Sequence, residues 1–122
     1  MTSVNELRNL VNWKEGLVSA KVHFDQEMYE RELERVWGRS WMVVGHEDQI
    51  REPGDYITNY MGDVPVIVIR DQQGKIRVFV NSCAHRGNQV CLFDRGNAKS
   101  FTCSYHGWTY DTSGNMIGAA ME

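Results

Sequence analysis

Two short ligand pairs, Cys83-Ala84-His85 and Cys103-Ser104-Tyr105-His106, are separated by seventeen residues and limit this chain's folding more than any other feature. Each pair follows a run of β-branched or aromatic residues and is closed by a glycine, Gly87 or Gly107, so each reads as a loop at the end of a strand. Two such loops facing each other can set both thiolates on one metal and both imidazoles on a second. The competing reading is a structural zinc site, since zinc accepts two Cys and two His. Zinc fingers, however, space their ligands roughly as C-x2–4-C and then H-x3–5-H with helical histidines, and the order here is C, H, C, H. The third cysteine, Cys91 in Gln-Val-Cys-Leu-Phe, has no histidine beside it and reads as a small buried hydrophobe. An odd cysteine count with two members beside histidines points to metal rather than to a disulfide framework.

The rest of the chain supplies a scaffold for two such loops. Its 122 residues amount to one small domain, with 42% hydrophobic and 11% aromatic residues, enough for a core. The formal charge is −3, from 13 basic and 16 acidic residues evenly mixed. No basic run suggests nucleic acid, no apolar stretch is long enough to span a bilayer, and the polar N-terminus lacks a signal pattern. A cytoplasmic protein is expected.

Along the chain, Ser3 and Glu6 form a capping box opening a short helix that places Leu7, Leu10 and Val11 on one side. A second helix is expected from the N-cap Asp25 to about Trp37, with Tyr29, Leu33, Val36 and Trp37 as one buried stripe, a Glu27–Arg31 pair, and Gly38 at C′. From Ser40 the period changes. WMVVGHE, DYITNYM, VPVIVIR and IRVFVN read as strands, the third apolar at four successive positions from 66 to 69 and so covered on both faces. FTCSYHGWTYD and MIGAAM read as the arms of a last hairpin around Thr112-Ser113-Gly114-Asn115. The expected fold class is mainly β: a small antiparallel domain over 40–122 with two cluster-binding loops, preceded by a helical segment over 1–39.

Cys-x-His with Cys-x-x-His on paired loops is the arrangement of a Rieske [2Fe–2S] cluster, in which two His replace two Cys on one iron. CAHRG and CSYHGW, together with GLVSAKVHFDQEMYERELERVWGRSWMVVGHEDQI, EPGDY and GNAKSFTCSYHGWTYDTSGN, resemble the N-terminal part of bacterial aromatic-ring-hydroxylating dioxygenase α subunits, of the biphenyl, benzene and naphthalene type. The resemblance implies that Cys83 and Cys103 bind one iron and His85 and His106 the other. It also implies that Arg86, Gly87, Tyr105, Gly107 and Trp108 lie over the cluster, the glycines where backbone must approach it closely. Arg86 otherwise reads as locking its loop by a salt bridge, and the two aromatics as β-core packing. His106 would be the electron exit, facing an aspartate of a neighbouring subunit. Respiratory Rieske proteins carry a disulfide where this chain has Asn88 and Tyr105, and fewer donors to the sulfurs than in those proteins are expected, which points to a low potential.

The resemblance implies a second, mononuclear Fe(II) site with two His and one carboxylate. His23 and His46 have no partners at ligand spacing and read as structural, so that iron and the aromatic substrate belong to a C-terminal domain outside these residues. The implied role is electron entry: a ferredoxin or reductase donates, a neighbouring α subunit of a trimer receives, and a β subunit is a further partner. Arg86, Arg95 and Lys99 against Asp94 make the stretch between Cys83 and Trp108 locally positive, which suits an acidic donor. A stand-alone Rieske ferredoxin is the alternative, and the α-subunit-like segment through Trp41 argues against it.

Overall fold

The computed structural model describes residues 3–119. It divides into two compact units, one ending at Trp41 and the other beginning at Met42.

In the first unit, α1 (Val4–Arg8) opens with the expected capping box between Ser3 and Glu6. It stops at Arg8 rather than running to Val11, because Val11–Asn12 (β1) pairs antiparallel with Leu17–Val18 (β2). Helix α2 (Gln26–Arg35) starts on Asp25, whose carboxylate accepts from Met28 N at 3.0 Å, and Glu27 meets Arg31 at 3.9 Å. Two expectations for it fail. The stripe is not buried: Tyr29, Val36 and Trp37 stay about half exposed, and no residue of either helix is buried. An amphipathic helix buries its apolar face only against a second apolar layer, and this unit has none of its own. Gly38 is also no left-handed cap. It lies within a 3-10 turn, Trp37–Arg39, where an added Cβ would stand 2.9 Å from Leu33 O, so close packing excludes a side chain there.

The second unit is antiparallel β. Four strands, β3 (Asp55–Met61), β4 (Val64–Arg70), β5 (Ile76–Val80) and β6 (Arg95–Asn97), form one sheet in the order β5-β4-β3-β6. Three more, β7 (Ser100–Thr102), β8 (Thr109–Asp111) and β9 (Met116–Gly118), form a second. The run 66–69 is buried at all four positions, as expected, because β4 is covered on both faces. Ile67 and Ile69 pack with Tyr56, Cys91 and Phe101 on one side, where Phe101 carries in β7. Val68 and Ile57 pack under Ile50 and Val44 on the other.

WMVVGHE is not a strand. Residues 41–46 are irregular, with Trp41 and Val43 exposed. Val44 packs on the sheet face and its carbonyl accepts from Asn59 Nδ2 at 2.9 Å, while a Cβ on Gly45 would meet Ile57 Cδ1 at 2.6 Å. The segment therefore lies flat against β3 instead of pairing beside it, and packing overrides β propensity. The last hairpin forms as β8–β9, although the end of the MIGAAM arm (Ala120 and Met121) lies outside the described residues. Strands β1, β2 and β6 were not foreseen.

Candidate metal centre

Both ligand loops have the same backbone design. In the first, Cys83 N donates to Asn88 O and Gly87 N to Cys83 O, each at 2.8 Å. In the second, Cys103 N donates to Trp108 O at 2.8 Å and Gly107 N to Cys103 O at 2.9 Å. Gly87 and Gly107 take φ of +74° and +71°, a left-handed conformation that costs other residues roughly 1–2 kcal/mol. That conformation is what requires glycine here. A Cβ on Gly87 would meet only Ser82 Oγ, at 3.7 Å, so crowding among the protein's own atoms is not the reason.

The loops bring the four predicted donors together as two pairs. The imidazoles of His85 and His106 lie with ring centroids 4.6 Å apart. The thiols of Cys83 and Cys103 are free, buried and close enough for Cys103 to act as a hydrogen-bond partner of Cys83. Among the described residues, no three His, Cys, Asp or Glu side chains converge on a single ion. A tetrahedral zinc gathers four donors about one centre, whereas a [2Fe–2S] cluster with two Cys and two His takes one like pair per iron. The donor set and its division into like pairs fit the cluster.

The surroundings shift Cys83 toward thiolate and His106 toward neutral imidazole. Burial pushes the Cys83 thiol up, but hydrogen bonds from the Tyr110 hydroxyl, His85 N, Cys103 and Arg86 N outweigh it and hold Cys83 below the usual thiol range. The His106 ring is held below its usual range by burial, then by the charges of His85 and Arg86. The Tyr110 hydroxyl lies 3.3 Å from Cys83 Sγ and accepts from Ala84 N at 3.1 Å. Burial, and then Cys83, push the Tyr110 phenol up, so it keeps its proton and serves as donor. The Cys83 sulfur thus has several donors around it. Tyr110 was missed because it lies four residues past His106 on β8, and no local pattern ties it to the first loop.

Of the residues expected over the centre, Trp108 stacks on His85, centroids 4.8 Å apart and planes 7° from parallel, and Tyr105 tilts against His106 at 3.9 Å. Both therefore touch ligand rings, which ordinary core packing would not produce, and Tyr105 remains 59% exposed. Arg86 is exposed and forms no ion pair within 4.0 Å among the described residues, so the expected loop-locking salt bridge is absent there. Cys91 is buried in the core as expected, its thiol donating to Phe93 O at 3.5 Å. His46 is structural, capping a 3-10 turn by accepting from Asp48 N, and His23 ends another. Arg95 and Lys99 stand exposed beside the second loop's strand.

The scaffold is matched by known proteins. The family model of the Rieske [2Fe–2S] domain matches residues 40–121. The chain is 51% identical over 120 residues to the chlorobenzene dioxygenase subunit alpha of Cupriavidus sp. (strain PS12), covering 98% of this chain and 27% of that one. It is 52% identical over 117 residues to the biphenyl 2,3-dioxygenase subunit alpha of Rhodococcus jostii (strain RHA1), covering 96% and 25%. Among solved structures, naphthalene 1,2-dioxygenase from Rhodococcus sp. bound to indole superposes with a TM-score of 0.83 at 38% identity, covering 98% of this chain and 28% of that one. The chain thus spans about a quarter of the length of the curated relatives it matches.

Proposed function

Since the chain belongs to the Rieske [2Fe–2S] domain family, we propose that it is the electron-entry domain of an aromatic-ring-hydroxylating dioxygenase α subunit. The observation that carries this reading is the pairing of thiol with thiol and imidazole with imidazole on two matched loops. Its extension to the dioxygenase rests on about 50% identity to α subunits across nearly the whole chain. The two parts are proposed to be a helical segment over 1–39 and the cluster domain over 40–122.

In this reading Cys83 and Cys103 hold one iron and His85 and His106 the other. When bound, such a cluster stores and releases one electron at a potential within about −150 to +300 mV. The chain's own residues set the conditions for that exchange. Tyr110 donates toward Cys83 Sγ, Trp108 fixes the His85 ring by stacking, and Tyr105 shields one side of His106. His106 is the exit, facing an aspartate of a neighbouring subunit. Arg86, Arg95 and Lys99 attract an acidic ferredoxin or a reductase. Partners beyond the donor are further α subunits in a trimer and a β subunit, and the mononuclear iron and the aromatic substrate belong to a C-terminal domain. The setting is proposed to be cytoplasmic; among the described residues no helix is long and apolar enough to cross a membrane.

The test is to load the protein with its cluster, mix it with NADH, reductase and ferredoxin of a benzene-type system, and follow bleaching of the visible bands. Rapid bleaching that slows in Arg95→Glu/Lys99→Glu at low salt is expected. Cluster reduction that does not depend on the ferredoxin–reductase pair would contradict the role. The intact mass of the native protein separates an α subunit from a stand-alone carrier.

A further inference from the structure

Asn88 ends the first loop and reaches into the second. Its side-chain nitrogen lies 3.0 Å from Gln89 O, 3.5 Å from Ser104 Oγ and 3.8 Å from Cys103 Sγ. The Gln89 carbonyl can only accept, so its neighbour must be the NH2 end of the amide. One N–H serves that carbonyl, and the other faces the Ser104 hydroxyl and the Cys103 sulfur. The Asn88 carbonyl meanwhile receives Cys83 N. The backbone of one residue thus closes the first loop on its own cysteine, and its side chain touches the cysteine of the other loop. Tyr110 makes the converse tie, from the strand after the second loop to Cys83 Sγ and Ala84 N.

We propose that Asn88 is a positioning residue, holding the two ligand loops together through the Cys103 sulfur and stabilising negative charge on it. The inference rests on the ligand set proposed above. A thiolate is acceptor only, and an N–H directed at it is a charge-assisted contact, stronger than the same contact to a neutral thiol. Added electron density at the sulfur strengthens it further, so this donor favours the reduced state and raises the potential. Asn88 is half-buried, which limits competition from water for the same sulfur.

The test compares full chains of wild type, Asn88→Ala and Asn88→Leu, each loaded with the cluster and assayed for iron and acid-labile sulfide before redox titration. Both variants should take up an electron about threefold less favourably, a midpoint about 30 mV more negative at about 59 mV per tenfold for one electron. Both should also lose their visible absorbance to a chelator faster than wild type. Leucine has the branched heavy-atom outline of asparagine and carries no donor, so it serves where alanine fails to load. Wild-type protein with ¹⁵N in its asparagine side chains needs no substitution: the reduced centre should show a ¹⁵N coupling by pulsed EPR. An unmoved midpoint in a loaded variant, or no such coupling, overturns the inference, whatever the rate of cluster loss. A wild-type chain that binds no iron and sulfide is a different failure, removing the ligand reading itself.

Discussion

Asn81 is a site where the structure predicts a large loss from one polar substitution. It is 2% exposed and sits just past β5, two residues before Cys83. Its Nδ2 donates to Cys91 O at 2.7 Å, and its Oδ1 accepts from Val90 N at 3.0 Å and Cys91 N at 2.9 Å. One amide therefore satisfies three backbone groups in the segment that links the two ligand loops. Asn81→Leu keeps the branched heavy-atom outline and removes every partner. A buried donor or acceptor left unmade costs about 1–3 kcal/mol. Cys91 is buried and loses two such partners, while Val90 is half-buried and within reach of water. The sum is about 2–6 kcal/mol, a large share of the roughly 5–15 kcal/mol that holds a domain folded. At roughly 4–8 °C per kcal/mol for a unit of this size, the melting midpoint should fall by more than about 8 °C. The assay is thermal unfolding of the cluster-loaded chain, followed by circular dichroism at one scan rate. Asn81→Asp keeps the two acceptors and loses the donor, and its charge faces the Cys91 carbonyl. It should therefore be less stable than wild type at neutral pH and recover as the carboxyl protonates and regains a donor. A midpoint for Asn81→Leu within a degree or two of wild type would refute the reasoning.

Three further outcomes are expected. Tyr110→Phe removes the donor 3.3 Å from Cys83 Sγ and the acceptor of Ala84 N, so redox titration should give a more negative midpoint, and unfolding should show a loss of about 1 kcal/mol. Asp71 is held below the usual carboxylate range by Arg77, and by Lys75 N and Gln73 N, against its own burial. Because its folded value is depressed, the stability it lends is complete above the ordinary Asp range and is lost as pH falls through the folded value. Acid titration of stability should therefore be shallower in Asp71→Asn than in wild type. Gly74 and Gly114 both have positive φ, but a Cβ at Gly74 meets nothing within 4 Å, whereas at Gly114 it would stand 2.6 Å from Phe79 Cε1. Urea unfolding should show Gly74→Ala costing about 1–2 kcal/mol and Gly114→Ala clearly more.

The parts of this architecture legible in the sequence are those fixed by local chemistry. Asp25 and Ser3 announce helix starts because their side chains cap the next turn, and the run 66–69 announces a strand covered twice. Cys83, His85, Cys103 and His106 were legible as a candidate ligand set because their spacing matches loops rather than helices, and the structure sets imidazole beside imidazole and thiol beside thiol. What escaped is long-range. Tyr110, Asn81 and Asn88 reach partners 27, 10 and 15 residues away in the chain, and no periodicity marks them. WMVVGHE has a strand's composition but lies against the face of β3, where Gly45 and Val44 meet Ile57 and Val68. The stripe of α2 was read correctly as amphipathic and wrongly as buried, since burial depends on a second layer that periodicity cannot supply.

The central claim is that two histidines and two cysteines share a two-iron cluster. Its most direct test is pulsed EPR of the dithionite-reduced protein labelled with ¹⁵N-histidine, alongside iron and acid-labile sulfide analysis. The account predicts two irons and two sulfides per chain, with two distinct histidine nitrogen couplings that fall to one in His85→Cys or His106→Cys if the cluster is retained. Zinc in place of iron, or a reduced cluster with no histidine nitrogen coupled to it, would contradict it.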